Sequence, residues 1–232
     1  MELERVLTGI EGLDKLLNGG FVRNRHIILS GGPGTGKTSF CYEFLYNGAE
    51  NYGEKGLFIS LEQSPERVVE GAKALFDWDW DKHLGENIIF TRIRRDDFAS
   101  LREIISSYVQ QHGVKRVILD SLSILRLYFR DEDTYRNNLF ELIEFLSELD
   151  CTSILVREAA TNRREAAVYG LEEFVGDGVM NLYLIPKEAD RVRVLEILKM
   201  RDTDHSSRLI PFKLTSEGIM LTPEAHMFGK VL

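Results

Sequence analysis

Proline is scarce in this chain, five in 232 residues, and no Pro- or Ser-rich stretch divides it. That excludes a long flexible linker and makes one domain covering residues 1–232 the expected organisation. Cysteine is limited to Cys41 and Cys151. The two lie far apart, each in an apolar stretch and without metal-type neighbours, which excludes a disulfide framework or a cysteine metal centre and leaves two small core residues. No apolar run reaches the roughly 18 residues of a membrane span, and no charged-then-apolar leader opens the chain. A cytoplasmic protein with no membrane contact is expected. Basic charge is also in deficit: 29 basic against 37 acidic residues give a net charge of −8. This argues against a surface that grips nucleic acid all round, while leaving room for a local basic patch. Internal repeats and low-complexity segments are missing too, so solenoid and fibrous architectures drop out.

What is present is a phosphate-binding pattern, Gly31-Gly32-Pro33-Gly34-Thr35-Gly36-Lys37-Thr38, in which a glycine, four residues, Gly, Lys and Thr follow in order. His26-Ile27-Ile28-Leu29-Ser30 before it reads as a short buried strand. From Ser39 to Tyr46, apolar groups recur at helical spacing. Glycines at 31, 34 and 36 allow the backbone to turn its N–H groups inward around a phosphate, and the following helix start adds free N–H groups and partial positive charge. Gly32, Pro33, Gly34, Thr35, Gly36, Lys37, Thr38 and Ser39 are therefore the expected ATP or ADP contacts. Lys37 lies against the β- and γ-phosphates and the Thr38 hydroxyl is a ligand of Mg²⁺.

The remaining chain reads as strands alternating with helices. Residues 10–17 form a short amphipathic turn closed by two glycines. Gly56–Leu61 is a strand, followed by a helix with Ser64 as cap and Pro65 at its first position. Asn87–Arg92 is a strand, Phe98–Gln111 a helix, Lys115–Ser121 a strand, Tyr135–Leu149 a helix and Thr152–Val156 a strand. Such alternation predicts an α/β fold with a mostly parallel sheet and ligands at the strands' carboxyl ends. After residue 176 the strand-like segments Val179–Ile185, Arg191–Met200, Leu209–Leu214 and Gly218–Leu221 follow one another through short polar turns. They predict a C-terminal antiparallel extension of one sheet edge.

Two carboxylates end strands. Asp120 stands where a second acidic group supports Mg²⁺, often through water, although an apolar run followed by Asp is also a common sheet-end pattern. Glu62 is the candidate general base or water positioner for attack on the γ-phosphoryl; the alternative is a solvated helix-cap acid.

Taken together, Thr8-Gly9-Ile10-Glu11-Gly12-Leu13-Asp14, the phosphate loop, Phe58–Glu62, Ile118–Ser121, Tyr169–Val175 and Leu195–His205 resemble one domain of the circadian clock ATPase KaiC, from about residue 6 to 220. The resemblance implies a RecA-like P-loop core and a homohexameric ring with ATP between neighbours. It places Lys199, Met200, Arg201, Thr203 and His205 at the next subunit's nucleotide, with Lys199 and Arg201 joining Lys37 and Glu62 in catalysis. It further implies a regulatory or signalling role with a protein partner. Two departures stand out. KaiC domains carry two glutamates after the second strand where this chain has Glu62-Gln63, and Glu172-Glu173-Phe174 lies near the stretch KaiC phosphorylates, so clock-type autophosphorylation is not expected. The alternative function is a recombinase relative holding single-stranded DNA in the ring centre through residues 157–165. That segment mixes Arg157, Arg163 and Arg164 with two glutamates and offers no aromatic to stack a base.

Overall fold

The computed structural model describes residues 3–94, 99–160, 170–187 and 190–223. In chain order the elements are β1 (Arg5–Val6), α1 (Leu13–Leu16), β2 (Phe21–Val22), β3 (His26–Gly31), α2 (Lys37–Tyr52), β4 (Lys55–Ser60), α3 (Pro65–Leu75), β5 (Ile88–Arg92), α4 (Leu101–His112), β6 (Val114–Asp120), α5 (Leu122–Arg126), α6 (Glu132–Glu148), β7 (Thr152–Glu158), α7 (Leu171–Val175), β8 (Gly178–Lys187), β9 (Asp190–Met200), β10 (Leu209–Thr215) and β11 (Gly218–Leu221). Nine strands form one sheet in the order β11-β10-β9-β8-β3-β7-β6-β4-β5. The strands from β8 to β5 pair in parallel, whereas β8, β9, β10 and β11 pair antiparallel. The expected α/β class and the antiparallel extension are both found.

The apolar continuity of the parallel strands follows from burial on both faces. Ile27 and Leu29 of β3 and Ile118 of β6 face one core with α1, α2 and α3. Ile28 of β3 and Val117 and Leu119 of β6 face a second core with α4 and α6. The residue 10–17 turn is α1, whose Leu13 joins the core of Ile27 and Leu29. Cys41 and Cys151 are buried free thiols.

Element ends differ from the sequence reading in small ways. β4 ends at Ser60, one residue short of the expected Leu61, although the Leu61 N–H still reaches the Asp120 carbonyl of the neighbouring β6 (2.8 Å). The helix expected from Phe98 begins at Leu101; Phe98 itself lies outside the described residues. Ser64 is at the cap of α3 in extended conformation, but its side chain makes no capping hydrogen bond.

One buried cation ties the N-terminal segment to the sheet. Arg116 of β6 is fully buried; its Nη1 donates to the Phe44 carbonyl (2.8 Å), Nη2 to the Leu7 carbonyl (2.7 Å) and Nε to Glu54 (2.8 Å). Gly48 in α2 makes room for it: a Cβ there would meet Nε at 2.4 Å. Arg116→Ala strands two carbonyls and a carboxylate and leaves a cavity, so we expect a loss of about 3 kcal/mol or more in denaturant unfolding. A loss below about 1 kcal/mol would mean that the neighbours collapse into the gap.

A buried ionisable group gives a pH signature. Glu43 of α2 accepts the Ile219 N–H (2.6 Å), and burial pushes its carboxyl up to about 8. The unfolded chain ionises it near 4.5, so its contribution to stability is full below that pH and is lost as pH rises toward 8. Glu43→Gln, which keeps an acceptor for Ile219, is expected to flatten the fall in melting temperature across that window. An unchanged pH profile would exclude Glu43 as its source.

Candidate nucleotide site

The phosphate loop leaves the carboxyl end of β3, between β7 and β8. Gly34 and Gly36 have φ of 74° and 106°, values that turn successive N–H groups to one side and that residues with a Cβ adopt poorly. A Cβ at Gly31 would meet the Thr35 hydroxyl at 2.7 Å and the Leu182 carbonyl at 2.8 Å. The loop is held shut from within by the Thr35 hydroxyl, which donates to the Gly32 carbonyl (2.8 Å). Lys37 Nζ rests on that same carbonyl at 3.0 Å. α2 starts at Lys37 with no acidic residue in its first turn, so the partial positive charge of its N-terminus is left uncompensated by the helix itself. Thr38 is half-buried and Ser39 buried. From the antiparallel side, Arg193 Nε of β9 donates to the Gly34 carbonyl (3.2 Å), and Phe212 and Leu214 of β10 lie 3.5 and 3.6 Å from where a Gly36 Cβ would be.

Acidic groups gather at the neighbouring strand ends. Asp120 ends β6, and burial raises its carboxyl to about 6; Lys37 opposes that rise, while Glu158 and Glu62 add to it. Burial likewise lowers the Lys37 ammonium, with Glu158 and then Asp120 acting against the change. Lys37, Asp120, Glu158 and Glu62 thus form one electrostatic cluster. Glu62 is exposed just beyond β4, where Ser60 Oγ accepts the N–H groups of Glu62 (3.3 Å) and Gln63 (2.8 Å). It borders an open cleft of about 770 Å³ that runs along α3 past Arg67 and Arg92.

Glu158 was missed by the sequence reading, which took it as part of a mixed-charge loop. It is the last residue of β7, registered beside Gly31, with its N–H donated to Ser123 Oγ (2.9 Å). Its position beside β3, not its own neighbours in sequence, brings it to Lys37.

Lys199, Met200, Arg201, Thr203 and His205 are not part of this cluster within one chain. β9 runs antiparallel to β8, so Met200 pairs with Gly178, which in turn pairs with Ile27 near the start of β3. The loop leaves the other end of β3, roughly 15 Å away at about 3.3 Å per residue. Lys199 Nζ donates to the carbonyls of Glu173 (3.1 Å) and Phe174 (3.3 Å). Arg201, with 52% of its side chain exposed, pairs with Asp177 at 3.2 Å. The Thr203 hydroxyl accepts from Arg5 (3.2 Å), and His205 Nδ1 lies 3.3 Å from the Ser206 carbonyl. Met200 differs from the others: its side chain is buried against Gly178.

A family model described as the KaiC ATPase matches residues 6–226. The chain belongs to the KaiC ATPase family. It is 33% identical over 95% of its length to the circadian clock oscillator protein KaiC of Prochlorococcus marinus, of which it covers 45%. It therefore spans about half the length of the KaiC relatives it matches. Shorter relatives are covered nearly whole: a UPF0273 protein of Methanopyrus kandleri is 37% identical, with 97% of this chain and 94% of that one aligned. The UPF0273 protein of Thermotoga maritima is 33% identical over 98% of this chain and 100% of its own. The crystal structure of a KaiC-like protein from Pyrococcus horikoshii superposes with a TM-score of 0.84 at 36% identity, over 96% of this chain and 100% of that one. The fold is accordingly the RecA-like P-loop core, and the family supports an ATP-binding role.

Arg157, offered by the sequence as a DNA contact, is turned inward. Its Nη1 donates to Glu173 (2.7 Å) and lies 3.4 Å from Ser30 Oγ. Arg163 and Arg164 lie outside the described residues.

Proposed function

We propose that the protein is a Mg²⁺-dependent ATPase that works as a ring of identical subunits, most simply a hexamer, with nucleotide at each subunit interface and a protein partner that reads the nucleotide state. The observation that carries the ATPase reading is the joining of the glycine cradle and Lys37 with Asp120 and Glu62 at adjacent strand ends. Two carboxylates, Asp120 and Glu158, act on Lys37, and Glu62 acts on Asp120 in turn; this acidic balance repels a bare polyphosphate and favours one accompanied by a divalent cation. The Thr38 hydroxyl and Asp120 carboxylate are hard oxygen donors of the kind Mg²⁺ takes, with water completing its shell. Bound there, the ion would neutralise charge on the β- and γ-phosphates. Lys37 holds the same phosphates, the loop N–H groups orient them, and Glu62 accepts a proton from, or aligns, the attacking water.

The ring rests on the remote placement of Lys199, Arg201, Thr203 and His205. A role at phosphate for these residues needs a second subunit, because their own loop is at the far end of β3. In the recombinase alternative Arg157 is already engaged by Glu173 at 2.7 Å. Lys37→Ala tests the reading: nucleotide binding or turnover should disappear while the unfolding free energy stays within about 0.5 kcal/mol of wild type, since the half-buried ammonium sits at a loop and not in a packed core. Full turnover in that variant would remove the phosphate loop from the mechanism. Turnover stimulated by single-stranded DNA would favour the recombinase alternative.

A further inference from the structure

We propose that the groove between α3 and the outer edge of β5 receives residues 224–232 of a second copy of this chain as an added, tenth strand. β5 is the last strand of the sheet. Gly56 donates to the Asn87 carbonyl and Ile93 to the Ser60 carbonyl (2.8 and 3.0 Å). In a parallel pair, alternate residues bond to the same side, so 87, 89, 91 and 93 bond inward to β4 and 88, 90 and 92 present their peptide groups outward. Ile88 is satisfied by its own turn, through the His83 carbonyl and the Gly85 N–H (2.9 and 3.0 Å). Among the described residues no backbone hydrogen bond meets the outward groups of Phe90 or Arg92. The opposite edge is different: β11 is covered by Glu11, whose carbonyl accepts the Leu221 N–H (3.2 Å).

Beside the open edge lies a groove of about 510 Å³, floored by Val69, Leu84, Ile88, Ile89 and Phe90 and rimmed by Glu66, Glu70 and Lys73. An unpaired edge next to apolar pockets is the arrangement that binds extended peptide: main-chain bonds give affinity and alternate side chains fill the pockets. Residues 224–232, Glu-Ala-His-Met-Phe-Gly-Lys-Val-Leu, match it. Met227, Phe228, Val231 and Leu232 are apolar, and Lys230 carries the sign that complements Glu66 and Glu70. The segment follows β11, at the other end of the sheet. Eight strand spacings of about 4.8 Å put β5 some 38 Å away, while nine residues fully extended reach at most about 32 Å. The groove filled by this segment therefore belongs to another copy. The inference goes beyond the ATPase reading and requires no nucleotide.

The experiment uses two full-length variants, Val69→Cys and Phe228→Cys, the native cysteines being buried. Mixed without nucleotide and mildly oxidised, they should give a disulfide-linked dimer that neither forms alone. A synthetic peptide of residues 222–232 should suppress it and a scrambled peptide should not. In a second pair, Val69→Cys with Met227→Cys, adding Phe228→Asp should lower cross-linking by roughly tenfold, the range of one buried aromatic anchor. Placing Lys37→Ala in both partners should change nothing, which separates this result from failure of the ATPase reading. No dimer in either pair, or a link formed instead within one chain carrying both cysteines and persisting on dilution, would overturn the proposal.

Discussion

Glu62→Gln is expected to keep nucleotide affinity and lose ATP hydrolysis by about 10² to 10⁴-fold, the usual worth of a positioned general base. Amide and carboxylate are nearly isosteric, and Glu62 is exposed beyond β4, where its backbone N–H, not its carboxylate, bonds Ser60 Oγ. The substitution therefore changes basicity and one negative charge in the cluster with Asp120 and Lys37, and little else. Losing that charge lowers repulsion of the polyphosphate, so affinity should hold or rise while single-turnover hydrolysis falls. Gln63 is the control. It occupies the position where KaiC domains have a second glutamate, and as an amide it supplies no base. If Gln63→Ala were the damaging change and Glu62→Gln harmless, the water-positioning role would belong one residue further on.

Which parts of this site were legible depended on whether the information was local. The phosphate loop was, because glycine at fixed spacing, a preceding buried strand and a following helix all lie within some twenty consecutive residues. Glu62 and Asp120 were also legible, since a carboxylate after an apolar run marks a strand's end, and parallel order places strand ends on one side. Glu158 was not: in sequence it belongs to a charged stretch, and only the pairing of β7 with β3 sets it against Lys37. Lys115 and Arg116 stand side by side at the start of the expected Lys115–Ser121 strand, and the alternation of β6 sends Lys115 outward to Asp150 and Arg116 inward beneath α2. The ribbon of β1 and β2 has two residues per strand, too few for any periodicity to register. The separation of Lys199 and Arg201 from the loop follows from the antiparallel return of β9, a direction that the short turns predicted, although the distance could be measured only once the register was known.

That separation sets the last expectation. Arg201→Ala should reduce turnover by 10³ to 10⁵-fold if its guanidinium stabilises charge on a neighbour's transferring phosphoryl, the range seen for arginine fingers. Its 3.2 Å pair with Asp177 is half-exposed, so truncation should cost less than about 1 kcal/mol of stability and the fold should persist. The decisive experiment mixes two inactive proteins, Arg201→Ala and Lys37→Ala, under conditions that allow subunits to exchange. An interface formed by an intact Lys37 on one side and an intact Arg201 on the other restores one competent site, so the mixture should recover turnover that neither parent shows. Dilution of the wild type below its assembly concentration should lower specific activity for the same reason. A monomer at full specific activity, or mixed rings that assemble without recovery, would return Arg201 to its visible role, bonding Asp177 beside the buried start of β3, where the other Asp177 oxygen accepts the His26 N–H at 3.0 Å.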